Sequence, residues 1–168
     1  MSEHLTRAEP VPTEAFVGKD VSVHLAAPMA RYSLRARQPQ ALETVLGVKV
    51  PKKIGATEGG IACLGPDEWL LRGDIGTKLP TGSGLAIALV DISDRAVCLV
   101  VEGPRCAEIL NAGCPLDLEN FAVGRATRTI FETVEIVLIR TNEDQFHVEV
   151  WRSFASWLWT ALTTAAQH

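Results

Sequence analysis

The sequence lacks the cysteine and histidine groupings that metal sites need. Its four cysteines, at positions 63, 98, 106 and 114, include no CxxC pair and have no histidine at the spacing of a metal ligand. Zinc sites require clustered thiolates and imidazoles, so no metal site is expected. Free cysteine behaves as a small hydrophobic residue, and we predict that these thiols are buried in the core.

Motifs for nucleophilic catalysis and nucleotide binding are also missing. There is no GxSxG sequence and no GxGxxG sequence after a strand, and the glycine-rich segment 76–84 lacks the GK[ST] ending of a P-loop. His24 and His147 occupy the polar phase of alternating runs, and His147 is expected to point to solvent. No catalytic or cofactor-binding residue is therefore assigned.

Charge and hydropathy disfavour two classes of partner. Sixteen Lys and Arg against twenty Asp and Glu give a formal charge of −4, and the basic residues form no stripe that could follow a phosphate backbone. No apolar run approaches the roughly 18 residues that cross a bilayer, and the N-terminus is too polar for a signal peptide. We expect a cytoplasmic protein that binds neither nucleic acid nor membrane.

The chain does have enough apolar material for one core. Hydrophobic residues make up 47% of its 168 residues, which favours a single domain. Residues 1–18 are polar and contain Pro10 and Pro12, so we predict that they form an arm. Residues 19–168 are predicted to form the domain.

Short apolar runs bounded by turn residues predict mainly strands. They occur at residues 21–26, 31–36, 61–64, 68–72, 85–92, 97–102, 127–132, 135–140 and 146–151. The first two could form a hairpin. Helices are predicted after Pro39, after Pro104 and after Ser153.

Each half of the chain thus has strands with a helix inserted. This order predicts an α+β fold of duplicated ferredoxin-like units, with antiparallel sheets and about three helices. The runs 85–90, 97–101 and 136–139 are apolar on both faces, and three helices are too few to cover them. Either the two half-sheets pack on each other, or a loop or a partner subunit covers the remaining face.

Several segments, taken together, resemble one protein family. They are LGPDEWLL at 64–71, VDISDR at 90–95, GP at 103–104, GCPLDL at 113–118 and RSFASWLW at 152–159. With these motifs the chain, from about residue 30 to its C-terminus, is similar to the gamma subunit of heterotetrameric sarcosine oxidase. The resemblance implies the fold of the folate-binding aminomethyltransferase of the glycine cleavage system, which is built from duplicated units.

The resemblance implies a non-catalytic role in an enzyme complex. The complex oxidatively demethylates sarcosine to glycine and releases hydrogen peroxide. The implied partners are alpha, beta and delta subunits, which would hold FAD, FMN, NAD and tetrahydrofolate. Two alternatives stay open: a subunit of a related complex that oxidises another N-methylated amino acid, and a stand-alone folate-dependent one-carbon transferase.

One hairpin bears on the transferase alternative. Folate-using relatives employ a carboxylate near the pterin, and the corresponding hairpin is predicted at residues 129–136. It has Glu132 and Glu135 in its turn and no aspartate. Both glutamates are predicted to be solvated charges, which disfavours folate chemistry on this chain.

The tryptophans near the C-terminus indicate where a partner could bind. Trp157 and Trp159 are two residues apart in the last helix, so they point about 200° apart. Phe154, Trp157 and Leu158 share one apolar side, which leaves Trp159 facing elsewhere. Trp and Arg are enriched at the energetic centres of interfaces, so we predict a partner interface at Trp159, Arg152 and Trp151.

Overall fold

The fold consists of two antiparallel sheets and three helices. The computed structural model describes residues 8–74, 76–80 and 84–168. In chain order its elements are β1 (Phe16–Gly18), β2 (Val21–Leu25), β3 (Ala30–Ala36), α1 (Pro39–Leu46), β4 (Thr57–Glu58), β5 (Ile61–Gly65), β6 (Glu68–Gly73), β7 (Ile87–Asp91), β8 (Ala96–Glu102), α2 (Cys106–Asn111), β9 (Ala126–Phe131), β10 (Val134–Asn142), β11 (Gln145–Trp151) and α3 (Arg152–Ala166). The predicted α+β class is confirmed.

The strands divide between a six-stranded and a five-stranded sheet. The six-stranded sheet has the order β1-β2-β8-β11-β10-β9, and the five-stranded sheet has the order β4-β5-β6-β3-β7. This arrangement is consistent with duplicated ferredoxin-like units. The hairpin suggested for residues 21–36 is wrong, because β2 pairs with β1 and β8 whereas β3 pairs with β6 and β7.

The two sheets pack against each other, and helices cover their outer faces. Alternation in β3 sends Tyr32 and Leu34 into one core with Leu42 of α1, while Arg31 on the opposite phase reaches Glu149 of β11 in the other sheet. Helices α2 and α3 pack on the six-stranded sheet. The half-sheets therefore cover each other, which is one of the possibilities that the sequence left open.

The segment predicted as an arm, residues 1–18, contacts the rest of the chain in its described part. Its first seven residues lie outside the described part of the chain. In the remainder, β1 pairs with β2, and Val11 is buried against the larger core. Residues 16–18 therefore belong to the six-stranded sheet.

Two glycines of the family-like motifs have packing roles around α2. At Gly103 the φ angle is +117°, and an added Cβ would lie 2.5 Å from the Asp20 carbonyl oxygen, so a side chain there meets both strain and a clash. At Gly113 an added Cβ would lie 2.6 Å from the ring of Phe131. These glycines hold α2 close to β2 and to the β9–β10 hairpin.

Candidate functional site

A cavity of about 310 Å³ lies between the two sheets. Part of its wall is apolar and includes Leu64, Trp69, Ile92, Ile136 and Val150. Its charged lining residues are Arg31, Arg35, Arg95, Arg128, Glu68, Glu135 and Glu149. This volume is at the lower end of the range for sites that bind small molecules. What the cavity could bind depends on whether its charged residues already pair with other residues of the protein.

Glu149 and its partner Arg31 are the most deeply buried charges of the cavity wall. The Oε2 of Glu149 accepts a hydrogen bond from Arg31 Nε at 2.5 Å, and both side chains are only 5% exposed. Its Oε1 accepts a second bond from Arg72 Nη1 at 3.3 Å. Removing either partner of such a pair would leave a buried charge without compensation, so this cluster stabilises the contact between the sheets.

Glu68 forms a second link between the sheets. Arg128 of β9 donates to both of its carboxylate oxygens, at 2.8 and 2.5 Å, and Arg35 lies 3.3 Å from the same carboxylate. The hydrogen bonds from Arg128 hold the pKa of the Glu68 carboxyl below its usual value, against the opposing effect of burial. Glu68 therefore carries its charge in the folded protein.

His147 does not point to solvent as the alternation predicted. Its Nδ1 lies 2.9 Å from Arg72 Nη1 of the other sheet, and because a guanidinium only donates, this nitrogen accepts and the ring is neutral. Burial lowers the pKa of His147, and the charge of Arg72 lowers it further. The prediction was wrong because the polar phase of β11 faces the second sheet.

The two glutamates of the β9–β10 hairpin have different surroundings. Glu132 is exposed in the turn, with a φ angle of +51°. Glu135 lies in β10, and its carboxylate is 3.4 Å from Arg128 Nε with the side chain 53% exposed. Glu135 is thus a half-solvated partner of Arg128, so the predicted placement of both glutamates in the turn is wrong for Glu135.

The remaining reactive side chains are poorly placed for chemistry. All four cysteines are buried and free, which confirms the prediction of core thiols, and burial raises the pKa of Cys63, Cys98 and Cys106. A buried thiol with a raised pKa is unreactive. Within the described ranges, no three of the His, Cys, Asp and Glu side chains are grouped for a metal ion.

Trp151 and Arg152 contact other parts of this chain. The guanidinium of Arg95 lies 5.3 Å from the ring centroid of Trp151, and Trp151 is 36% exposed. Arg152 Nη2 donates to the Ala8 carbonyl at 2.5 Å and lies 3.6 Å from the Glu9 carboxylate. Their role at a partner interface remains a prediction.

The helical phase predicted for α3 is wrong. Trp159 is half-buried and packs on the larger core, whereas Phe154 and Trp157 are 46% and 40% exposed. The buried residues of α3 are Ala155, Leu158, Leu162, Thr163 and Ala166. At 100° per residue, their mean direction lies about 40° from Trp159 and about 160° from Trp157.

The sequence did contain signals for the features that the predictions missed. Polar side chains at alternate positions of an otherwise apolar strand, as at His147 and Glu149 in β11, indicate a polar face that a second layer can cover. The small residues of α3 mark the side that can approach a sheet closely.

None of the helices in the described part of the chain has the length and apolar character that a membrane span needs.

The sequence matches the sarcosine oxidase, gamma subunit family over residues 29–168. The sarcosine oxidase subunit gamma of Arthrobacter sp. is 32% identical over 126 residues, which are 64% of this chain and 59% of that protein. The same subunit of Corynebacterium sp. strain U-96 is 30% identical over 139 residues, which are 73% of this chain and 68% of that protein. The chain thus spans about three fifths to two thirds of the length of these relatives.

Two solved structures share the fold. A chain of the heterotetrameric sarcosine oxidase from Corynebacterium sp. U-96, in complex with pyrrole 2-carboxylate, superposes with a TM-score of 0.76 at 27% identity and covers 90% of this chain and 87% of that chain. The glycine cleavage system aminomethyltransferase T from Bartonella henselae gives a TM-score of 0.60 at 14% identity, over 83% of this chain and 44% of that one. The second likeness concerns the fold alone.

Proposed function

Because the chain belongs to the sarcosine oxidase gamma subunit family, we propose that it is the gamma subunit of a heterotetrameric sarcosine oxidase. The assembled complex would oxidatively demethylate sarcosine to glycine and release hydrogen peroxide. The observation that carries this proposal is the match of 90% of the chain to a chain of a heterotetrameric sarcosine oxidase. We place the complex in the cytoplasm.

In this proposal the chain supports the complex and does not catalyse its reaction. The charges around the inter-sheet cavity include ion pairs that link the two sheets, such as Arg31 with Glu149 and Arg128 with Glu68, and the thiols are buried. The chemistry would then belong to alpha, beta and delta subunits that hold FAD, FMN, NAD and tetrahydrofolate. The gamma chain would contribute a surface that contacts the other subunits.

A stand-alone one-carbon transferase has less support. The aminomethyltransferase is 14% identical, and the shared fold covers 44% of its length. In the β9–β10 hairpin, where the resemblance implied the place of a folate-binding carboxylate, Glu135 is paired with Arg128. The subunit role therefore remains the proposed function.

Co-expression tests the proposal. An affinity tag on this chain, expressed together with the other three subunits from the same source, should retain those subunits and a sarcosine-dependent release of hydrogen peroxide. The tagged chain purified alone should be colourless and inactive toward sarcosine. Stoichiometric flavin on the isolated chain, or recovery of the chain alone from the co-expression, would contradict the proposal.

A further inference from the structure

The outer face of α3 carries no charge. Its exposed residues are Ser153, Phe154, Ser156, Trp157, Thr160 and Thr164. No Lys, Arg, Asp or Glu occurs in residues 153–168, although such residues make up 21% of the whole chain. The solvent-facing side of a surface helix normally carries charged residues, so this face is composed more like the buried centre of an interface.

Two aromatic side chains stand out on this face. Phe154 and Trp157 are three residues apart, so they lie on neighbouring parts of the helix surface, and they are 46% and 40% exposed. The Trp157 ring also packs edge-on against the buried Phe131, with a centroid separation of 6.2 Å and an interplanar angle of 71°. Trp157 is thereby held in position before any partner binds, which lowers the entropic cost of binding.

The packing of α3 on the sheet leaves these aromatics on its outer side. The buried side of the helix contains Ala155 and Ala166, and an added Cβ at Gly18 of β1 would lie 2.8 Å from the Ala166 carbonyl oxygen. The helix end and the sheet are therefore too close for a larger side chain between them. Trp157 lies about 160° from the mean direction of the buried residues of α3, so this packing leaves it on the outer side of the helix.

We propose that this face of α3, with Phe154 and Trp157 as anchors, docks into an uncharged apolar groove on another subunit of the complex. The proposal rests on the proposed function and names the surface through which the chain would act. An uncharged face matches an uncharged groove, because a partner charge buried against it would have no counter-charge. The absence of Lys and Arg from this face also distinguishes it from the polar face of amphipathic helices that bind anionic membrane surfaces.

The proposed anchor residues differ from the tryptophan that the sequence pattern predicted, although all of them lie in α3. Trp159, which the sequence pattern placed at the interface, is half-buried against the core of its own chain. Trp157 takes its place as the large aromatic available to a partner. Trp151, at the start of the helix, is 36% exposed but already stacks with Arg95.

The test uses the full chain co-expressed with its partner subunits. Phe154→Ala/Trp157→Ala should weaken association by about 30-fold or more, since truncating an interface anchor has an effect of this size. The matched control is Val48→Ala/Ile54→Ala, which removes two aliphatic side chains that are 53% and 57% exposed elsewhere on the surface. The control should bind its partners as well as the unmodified chain does.

A second variant separates docking from folding. Because Trp157 touches Phe131, its truncation could also lower the melting temperature of the isolated chain. Thr160→Glu places a charge at an exposed position three residues after Trp157 on the same face, away from the core, and should weaken association while leaving the melting temperature within about 2 °C. Association with the partner subunits and the melting temperature are measured on the same preparations.

The outcomes of this experiment distinguish a failure of the docking surface from a failure of the proposed function. If the unmodified chain retains no partner subunits, the proposed function fails first. If it retains them and both the aromatic and the Thr160→Glu variants bind as well as the unmodified chain, the docking surface is overturned. If the unmodified chain is a homodimer that the variants make monomeric, a second copy occupies the face and the partner assignment is overturned.

Discussion

Glu149 has the most constrained charge in the protein. Its side chain is 5% exposed between two arginines of the other sheet, Arg31 and Arg72. A carboxylate in this position is stable only because both guanidiniums neutralise it. Glu149 therefore links the two sheets through its ion pairs with these arginines.

Removing this charge should destabilise the chain strongly. We expect Glu149→Gln to lower the free energy of unfolding by about 3 kcal/mol or more, because Arg31 would stay buried without a counter-charge. Glu135→Gln is the control, since that ion pair is half-solvated and should contribute less than about 1 kcal/mol. Urea titration of the two variants compares them, and equal losses would show that the Glu149 cluster does not link the sheets.

The lowered pKa of His147 predicts a loss of stability in mild acid. The folded chain resists protonation of His147, while the unfolded chain takes up a proton near the ordinary pKa of about 6.5. The unfolded state then binds more protons, so the free energy of unfolding falls as the pH drops through that value. The groups around the ring are Arg72, Glu149, His24 and Glu102.

This pH dependence is measured by urea unfolding at pH 7.5 and pH 5.5. The unmodified chain should lose more stability between the two values than His147→Asn, which keeps an acceptor near Arg72 and cannot titrate. Equal losses in the two proteins would assign the acid sensitivity to other groups. The carboxylates with lowered pKa values, such as Glu68, should contribute only at lower pH.

Among the elements, the α2 region shows how a motif that resembles the family can have a packing role. The segment GCPLDL follows α2, and within it Cys114 and Leu118 are buried in the larger core. Asn111 at the end of α2 donates to the carbonyls of Cys114 and Leu116. The motif fixes the path of the chain from α2 to the β9–β10 hairpin.

Adding one methyl group at Gly113 tests this packing. We expect Gly113→Ala to lower the free energy of unfolding by about 1–3 kcal/mol, because the new Cβ would lie 2.6 Å from the buried Phe131 ring. Gly65→Ala is a matched control, since its Cβ would find its nearest neighbour at 3.6 Å, and its stability should change little. Thermal unfolding of both variants gives the comparison, and similar melting temperatures would contradict the close contact at Gly113.

The elements themselves could largely be predicted from sequence, but their partners could not. Helix α1 begins at Pro39 and ends before Gly47, whose φ angle is +70°, as the start and stop signals indicated. The pairing of β2 with β8 joins residues about 80 positions apart, and no local signal encodes such a contact. The buried side of α3 depends on how closely its alanines approach the sheet, and hydrophobic periodicity does not report this distance.

At the scale of the whole molecule, the two sheets and their covering helices give the chain complete cores of its own. The larger core includes Leu99, Leu138 and Leu158, which are fully buried. Strands β8 and β10 therefore need no partner subunit to cover them, whereas Leu85 and Val90 of the apolar run 85–90 remain 44% and 47% exposed. Assembly would instead use the outer surface, where α3 exposes its aromatics.

Native mass spectrometry of the co-expressed subunits tests the central claim most directly. We predict one assembly that contains a single copy of this 18.2 kDa chain with three other subunits, and a sarcosine-dependent release of hydrogen peroxide from that assembly. A fully active complex that forms without this chain, while the chain itself remains unbound, would contradict the account.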